Sequence, residues 1–356
     1  MLICGASFAG LAVARELAGS AARVLMIDRY EVGERQTSAC GIPTGWLAAM
    51  DLMGSRRQTF GRLVVHTPHG TYRLELPFSF STFDYSELCR LLLEQADCEF
   101  ETAKVNGRSG GTVHTDRGDL SAPLIVDALG WRRVLGGGYQ PPEAPLSRGL
   151  EVHPRGAGEE MEIWIDRSYV PAGYGWSFPA GEELRIGVGS FDPRFHVRES
   201  TVELARDVGS HPVRYQGNWI PHRLREATED GVFFAGDSAG HCLPLTAEGI
   251  RTAFYFGIAC GRELRGVIDG RRTIAEALVR YGAFSASHRR KFESMLAVQR
   301  LVPRVSPRLL ARTLKGMQWE PFVRWSFEHY LNIAPPSFAG RAPRHGAARP
   351  LARAAA

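Results

Sequence analysis

Two glycine-rich turns carry the residues whose types and spacing are best suited to chemistry. The first is Gly5-Ala6-Ser7-Phe8-Ala9-Gly10, which joins an apolar run to an apolar pattern of helical spacing, with Asp28 ending the next run. A tight turn at Gly5, close packing at Gly10 and free N–H groups at the helix start suit a pyrophosphate, and Asp28 could accept from a ribose hydroxyl. The alternative is an ordinary strand-to-helix turn, since Ser7 replaces the middle glycine. The strand patterns on both sides favour a dinucleotide site.

The second turn lies some 230 residues later and indicates which dinucleotide is bound. The apolar run Val232-Phe233-Phe234-Ala235 leads into Gly236-Asp237, and an apolar helical pattern begins at Gly249-Ile250. An aspartate at a strand end beside glycines can bond the ribityl hydroxyls of a flavin. A helix beginning at Gly249 would direct its positive end at the part of the flavin ring where negative charge collects on reduction. A plain connection with Asp237 as a cap is the alternative; two such turns in one chain favour FAD.

A third motif, Asp127-Ala128-Leu129-Gly130, lies between these two turns. In order and spacing the three motifs resemble those of the glutathione-reductase-type FAD fold, which is shared by aromatic hydroxylases, flavin halogenases and geranylgeranyl reductases. The resemblance covers roughly residues 1–285, and the segment 236–250 looks most like the geranylgeranyl reductase branch. It implies FAD as the cofactor, bound through Gly5, Ser7, Gly10, Asp28, Gly130, Gly236, Asp237, Gly249 and Ile250.

Three aromatic side chains, Tyr174, Trp176 and Phe178, alternate along the segment 171–179. In a strand they share one face, because the side-chain period is two, and would form an apolar wall for a hydrocarbon or planar substrate. An isolated aromatic strand more often packs in a sheet core. The form Pro-x-x-Tyr-x-Trp-x-Phe-Pro, however, resembles the substrate-binding motif of geranylgeranyl reductases, and this favours substrate binding.

Cys40, in Thr37-Ser38-Ala39-Cys40-Gly41, is the candidate catalytic residue. The resemblance places a Cys-Gly pair near the flavin, where the thiol would give a proton to a substrate carbon; the alternative is that Cys40 only lines or packs the pocket. Flavin halogenases use an early lysine, but the first lysine here is Lys104, and this excludes halogenation. The family's arginine shortly before Phe83-Asp84 is missing. No metal site is predicted, because the six cysteines form no short-spaced ligand pattern.

The surrounding pattern predicts an α/β fold: a Rossmann-like FAD-binding domain with an inserted antiparallel β-sheet substrate domain and a C-terminal helical region. We assign residues 1–60, 84–135 and 225–275 to the FAD-binding domain. The substrate domain takes residues 61–83 and 136–224, with a hairpin over 60–83, and a helix opened by Asp84 covers 84–97. Residues 276–335 form the helical region, and residues 336–356 are expected to be a flexible tail.

The charge of the chain is divided unevenly along its 356 residues. Residues 1–250 have a net charge of −8 and residues 251–356 of +13, and 40 of the 43 cations are arginine. Residues 296–331 mix cations with large apolar side chains: Arg300, Arg304, Arg308, Arg312 and Lys315 with Leu301, Leu309, Leu310, Trp319 and Trp325. This mixture suits peripheral contact with an anionic membrane, although a packed helix with solvated arginines is equally compatible. Nucleic acid is not an expected partner.

These features predict an FAD-dependent oxidoreductase that reduces C=C bonds of a prenyl or other apolar substrate, small molecule or lipid, by hydride transfer. NAD(P)H or a ferredoxin would be the external electron donor. The alternative is an FAD-dependent monooxygenase or oxidase of a small aromatic or polyketide-like metabolite, and a flavin-binding protein without turnover is the third. The scattered cysteines and the lack of a long apolar run fit a cytoplasmic protein, associated with a membrane if the C-terminal region binds one.

Overall fold

The computed structural model describes residues 1–36, 38–138 and 145–340. Its strands are β1 (Leu2–Cys4), β2 (Leu25–Asp28), β3 (Gly41–Pro43), β4 (Arg56–Thr67), β5 (Gly70–Phe83), β6 (Glu99–Thr102), β7 (Val105–Ser109), β8 (Thr112–Thr115), β9 (Gly118–Ser121), β10 (Ile125–Asp127), β11 (Leu146–Val152), β12 (Met161–Trp164), β13 (Gly173–Pro179), β14 (Leu184–Ser190), β15 (Gln216–Pro221), β16 (Thr228–Glu229) and β17 (Val232–Phe234). Its α-helices are α1 (Phe8–Leu17), α2 (Thr44–Ala49), α3 (Tyr85–Glu94), α4 (Arg198–Asp207), α5 (Ile250–Ile268), α6 (Ile274–Ala286), α7 (Arg289–Leu301), α8 (Pro307–Met317) and α9 (Glu320–Leu331).

A six-stranded sheet, in the order β16–β17–β10–β1–β2–β6, forms the centre of the first layer. Four of its five pairings are parallel, as expected for strands joined by helices, and β16–β17 is antiparallel. Helices α1 and α5 pack closely against each other beside this sheet, because two glycines of α5 face α1. A Cβ at Gly257 would lie 2.8 Å from the Ala9 carbonyl oxygen, and one at Gly261 3.0 Å from that of Val13. The predicted Rossmann-like unit is therefore present.

An eight-stranded sheet, in the order β15–β11–β14–β13–β12–β4–β5–β3, forms the second layer. It is antiparallel except where β12 runs parallel to β4, so the inserted sheet is mixed rather than wholly antiparallel as predicted. The predicted hairpin is present as β4 and β5, and it begins at Arg56. One face of this sheet is covered by α4, whose Leu204 and Ala205 pack on Ile186 and Val188.

The helix after the hairpin begins where the sequence places it. The Asp84 carboxylate accepts a hydrogen bond from the Glu87 backbone N–H (2.8 Å), which caps α3 at its first turn. Helix α6 is likewise opened by a capping box formed by Thr273 and Glu276. Strands β7, β8 and β9 form a small separate sheet.

The C-terminal helices cover the hairpin. Leu314 of α8 and Val323 of α9 pack against Val65 and Leu74, so the inward faces of both helices are buried. No helix among the described residues is long and apolar enough to span a membrane.

The predicted flexible tail is wrong for its first five residues. Ala339 is fully buried, the Phe338 ring lies 4.3 Å from that of Tyr255, and Arg262 donates to the Phe338 carbonyl. These contacts escaped prediction because one aromatic residue anchors an otherwise small and polar segment. Residues 341–356 of the predicted tail lie outside the described residues.

Candidate functional site

Four parallel strands end at the same edge of the central sheet and bring the three glycine motifs together. Cys4 is in register with Ile27 of β2 and Asp127 of β10, and Asp127 is in register with Phe234 of β17. The residues that follow these strand ends therefore lie side by side. Ligands of open parallel sheets bind at this carboxyl edge.

The first turn leaves no room for side chains at its two glycines. Gly5 has a φ of +110°, and a Cβ there would lie 2.3 Å from the Ala128 carbonyl oxygen. A Cβ at Gly10 would lie 1.9 Å from the carbonyl oxygen of Gly5. The backbone at the start of α1 can thus approach a ligand closely, and no side chain caps the N–H groups of its first turn.

Ser7 and Asp28 flank this turn. The Ser7 hydroxyl is the helix N-cap by position but hydrogen-bonds the Tyr85 hydroxyl (3.1 Å) instead of the helix backbone. Asp28 accepts from the backbone N–H of Ala6 (2.8 Å) and of Tyr30 (3.2 Å), and its carboxylate is partly exposed. A ribose hydroxyl bound by Asp28 stays a prediction.

The middle motif is tied to the last one by a serine. Ser238 donates to the fully buried Asp127 carboxylate (2.7 Å) and accepts from the Gly130 N–H (3.0 Å). Burial raises the pKa of Asp127, and the hydrogen bonds from Ser238, Leu135 and Leu129 oppose this rise. Gly130, at a φ of +86°, is thereby held next to the Gly236-Asp237 turn.

The second turn places Asp237 beside the start of α5. A Cβ on Gly249, the N-cap of α5, would lie 3.6 Å from Asp237 Oδ1, and Ile250 is buried directly after it. Burial raises the pKa of Asp237 to about 6, and the positive charge of Arg225 lowers it again in part. Among the described residues, no hydrogen bond to the Asp237 carboxylate is found.

These features fit an FAD molecule. Asp237 is a partly buried carboxylate that accepts no hydrogen bond from the described part of the chain, the first turns of α1 and α5 lack side-chain caps there, and Gly5 and Gly10 admit a close backbone approach. Hydroxyl donors of a ribityl chain would satisfy Asp237, and phosphate oxygens would satisfy the N–H groups at the start of α1.

The aromatic side chains of β13 share one face, as predicted. Tyr174, Trp176 and Phe178 are half-buried, whereas the alternating residues Gly173, Gly175 and Ser177 are buried on the opposite face towards α4. The Tyr174 hydroxyl donates to the carbonyl of Thr246 (2.6 Å), in the loop before α5. The Phe178 ring lies within 3.8 Å of the position of a Cβ on Gly41. The three aromatic side chains therefore extend from the loop before α5 to the segment that contains Cys40.

A floor of glycines lies beneath the Trp176 ring. A Cβ at Gly187 would lie 2.3 Å from an atom of this ring, one at Gly189 3.4 Å and one at Gly149 3.8 Å. These glycines on β14 and β11 face the same side as Trp176, and the ring lies flat on them. This floor was not predicted, although the alternation in Arg185-Ile-Gly-Val-Gly189 is a visible signal for it.

Cys40 lies within the molecule rather than on the surface of a pocket. It is fully buried, its backbone has a φ of +54°, and its thiol donates to the Ser38 carbonyl (3.2 Å). Burial raises the pKa of the Cys40 thiol, so that it stays protonated at neutral pH. Thr37, from the same predicted motif, lies outside the described residues. Of the six cysteines, all described and all free, only Cys98 is partly exposed.

The C-terminal region contributes contacts to the loop before α5, which sequence reasoning missed. Tyr330 of α9 donates to the Glu248 carboxylate, and the Leu245 N–H donates to Gln299 of α7 (2.7 Å). The fully buried Arg251 pairs with Glu248 (2.8 Å) and donates to the carbonyls of Tyr330 and Leu331. The Arg251–Glu248 pair is local, but no local signal predicts the contacts with α7 and α9, because their members lie some 50 to 80 residues apart.

The architecture matches the fold of FAD-dependent oxidoreductases. The chain is similar to the digeranylgeranylglycerophospholipid reductase 3 of Methanosphaera stadtmanae, with 24% identity over 84% of this chain and 85% of the relative. It superposes on a geranylgeranyl bacteriochlorophyll reductase-like protein of Thermoplasma acidophilum with a TM-score of 0.80 and 15% identity, covering 95% and 96% of the two chains. The predicted resemblance to geranylgeranyl reductases is thus confirmed.

The same fold occurs in enzymes of other activities. The protein pqsL of Pseudomonas aeruginosa, classed as a probable FAD-dependent monooxygenase, superposes with a TM-score of 0.66 and 17% identity over 92% of this chain and 98% of its own. No family model matches the chain. The fold alone therefore leaves reduction and oxygenation to be distinguished by the residues of the site.

Proposed function

We propose that the protein reduces C=C bonds of a prenyl chain, or of another apolar substrate, with FAD as the hydride carrier. The observation that supports this most is the wall formed by Tyr174, Trp176 and Phe178. It reaches from Thr246, beside the proposed flavin site, to Gly41, and its three aromatic rings lie on one face of β13. The similarity to reductases of geranylgeranyl lipids supports the same substrate class.

Bound and reduced FAD would supply a hydride to one alkene carbon. The protein must then hold the substrate flat and deliver a proton to the second carbon. Trp176, lying flat on the glycine floor, presents a rigid surface for the chain. The start of α5 at Gly249 directs its N–H groups towards the proposed flavin site and favours negative charge there.

We assign the proton to Cys40 or to water. The raised pKa keeps the Cys40 thiol protonated but also makes it a weaker proton donor, and its proton points to the Ser38 carbonyl. Transfer from Cys40 therefore requires that this hydrogen bond breaks and that the fully buried thiol becomes accessible to the substrate. The external donor, NAD(P)H or a ferredoxin, stays an expectation from the sequence.

The decisive experiment is anaerobic. Protein reconstituted with FAD and photoreduced is mixed with geranylgeraniol, and we expect the flavin to be reoxidised without oxygen while the alcohol gains two hydrogen atoms per reduced bond. Trp176→Ala should slow this reoxidation at least tenfold. Trp164→Ala is the matched control, because Trp164 lies on the neighbouring strand and faces α4.

Two results would contradict the proposal. If no prenyl compound reoxidises the flavin, the reductase assignment fails. If instead an aromatic compound stimulates NAD(P)H oxidation in a strictly oxygen-dependent manner, the protein is a monooxygenase or oxidase, and the aromatic wall holds a planar substrate.

We also propose that this protein, expected in the cytoplasm, contacts anionic membranes through its C-terminal helices. Among the described residues, the large apolar side chains that are exposed concentrate there: Leu301, Leu309, Trp319, Phe322 and Trp325. Arg304, Arg308 and Arg312 are exposed among them. Leu310, by contrast, packs inwards on the hairpin, contrary to a role at the membrane. The positive face would repel a second copy of itself and attract anionic lipid headgroups.

Flotation with vesicles tests this contact. Phosphatidylglycerol vesicles should carry the protein upwards, neutral phosphatidylcholine vesicles should not, and 0.5 M salt should weaken the binding. The pair Trp319→Ser with Trp325→Ser should reduce flotation strongly, whereas Val279→Ser, which removes an exposed apolar group from α6, should not. Equal flotation of both variants would exclude the proposed face. Truncation is unsuitable, since Gln299 and Tyr330 hold the loop before α5.

A further inference from the structure

Glu151 of β11 is a buried carboxylate that the predicted site does not include. It is 3% exposed and accepts hydrogen bonds from three side chains. Its Oε1 accepts from His153 Nε2 (2.8 Å) and from Gln216 Nε2, and its Oε2 accepts from Trp176 Nε1 (3.2 Å). Burying a carboxylate is costly unless donors surround it, so this arrangement needs a reason.

The hydrogen bond from Trp176 connects Glu151 to the aromatic wall. The Trp176 ring rests on Gly187, Gly189 and Gly149, and glycines present no side chains that could stop the ring from rotating in its own plane. Its indole N–H is the polar atom by which that rotation can be stopped. The hydrogen bond to Glu151 therefore sets the orientation of the ring.

The second contact, the hydrogen bond from Gln216, connects Glu151 to the segment that contains Cys40. Gln216, which donates to Glu151, also lies 3.2 Å from the Ser38 carbonyl through the same nitrogen, and the Cys40 thiol donates to this carbonyl. Arg185 donates to the neighbouring Ala39 carbonyl (3.0 Å). Side chains of the eight-stranded sheet thus fix the backbone of residues 38–40.

We infer that Glu151 is a positioning residue that fixes the Trp176 ring and, through Gln216, the Cys40 segment relative to one another. A carboxylate suits this task because all three neighbours donate to it, whereas an amide would replace one acceptor oxygen by an N–H₂ group, which itself donates. The substrate side of this inference rests on the proposed function. The fixed distance between wall and thiol would then determine where on an apolar chain a proton can be delivered.

A double-mutant cycle tests the contact with Trp176. The dissociation constant of geranylgeraniol is measured on oxidised, FAD-loaded protein, without an electron donor. Glu151→Met should weaken binding about tenfold in the native chain and less than twofold in a Trp176→Phe background, since the indole N–H is already gone there. Glu151→Gln, which keeps one acceptor oxygen but turns an N–H₂ group against the remaining donors, should restore only part of the affinity. Equal weakening in both backgrounds would overturn the inference.

The second contact is tested without substrate. Glu151→Met and Gln216→Ala should each speed modification of Cys40 by a maleimide at least fivefold, as mapped by peptide mass spectrometry, while the buried Cys260 stays protected. Glu162→Met is the matched control, because Glu162 of β12 pairs with His66 instead (3.0 Å). Unchanged Cys40 reactivity would contradict this part. A native protein that binds no prenyl compound would defeat the proposed function, while the thiol measurement would still decide the role of Glu151.

Discussion

Asp237 is a residue whose proposed role in flavin binding conflicts with the stability of the flavin-free protein. Its carboxylate lacks a donor among the described residues, and burial raises its pKa to about 6. Because the pKa is higher in the folded than in the unfolded chain, ionisation opposes folding as the pH rises from about 4 to above 6. A ligand with hydroxyl donors would remove this cost.

Asp237→Asn should therefore stabilise the flavin-free protein at neutral pH. We expect a gain of about 2 to 3 kcal/mol at pH 7.5 and almost none at pH 4, since the shift amounts to about two pKa units. Urea titrations of the flavin-free protein and the variant at both pH values measure this. The same variant should bind FAD at least tenfold more weakly, and an unchanged affinity would remove Asp237 from the proposed flavin site.

Local motifs were predictable at this scale, and distant pairs were not. Gly5 to Asp28 and Gly236 to Gly249 are each contained in a short stretch whose strand, turn and helix patterns are visible in the sequence. The partners Glu151 and Trp176 lie on strands that are not neighbours, and their meeting depends on the registers of three strands. A one-residue slip would turn Glu151 to the α4 side. Such contacts therefore have no sequence signal.

At the scale of single elements, strand β14 requires a glycine at position 187, because a side chain there would collide with the Trp176 ring. Gly187→Ala would place a methyl group into the Trp176 ring, 2.3 Å from its nearest atom. We expect this variant to lose about 1 to 3 kcal/mol of stability and to bind geranylgeraniol more weakly. Gly189→Ala is the control, because its methyl group would meet the same ring at 3.4 Å. Thermal unfolding and the binding constant, measured on both variants, should rank them in this order.

Helix α5 depends on a buried arginine at its first turn. Arg251→Leu would remove the pair with Glu248 and three carbonyl contacts, leaving the Glu248 carboxylate without its cation. Breaking a buried pair in this way costs about 3 to 5 kcal/mol. Arg324→Ala, which breaks the exposed pair with Glu320, should cost less than about 0.5 kcal/mol. Denaturant midpoints compare the two, and similar values would contradict the role of Arg251.

For the whole molecule, the proposed flavin site joins the two main sheets. Tyr174 reaches the loop before α5, while Arg185 and Gln216 reach residues 38–40, so ordering one side orders the other. FAD should therefore slow backbone hydrogen exchange at the starts of α1 and α5 and also in β11 and β13. The exposed face of α6 should not change. Protection restricted to the central sheet would show that the two layers act independently.

The whole-molecule organisation was predicted better than its boundaries. The order of strands, glycine turns and helices indicates a Rossmann-like unit because each element has its own periodicity. The parallel pairing of β12 with β4 and the docking of residues 336–340 depend on contacts between distant segments. Neither leaves a periodic pattern in the chain.

The partly exposed thiol of Cys98 is a natural site for attaching a fluorescent probe. Cys98 precedes β6, which runs parallel to β2, so it lies at the amino edge of the central sheet, opposite the proposed flavin site. Burial and the nearby Asp97 raise the pKa of the Cys98 thiol to about 11, and dye coupling should therefore be slow at pH 7 and faster at pH 9. A fluorophore attached there would report unfolding of the sheet from a point remote from flavin absorption and substrate, without any engineered cysteine.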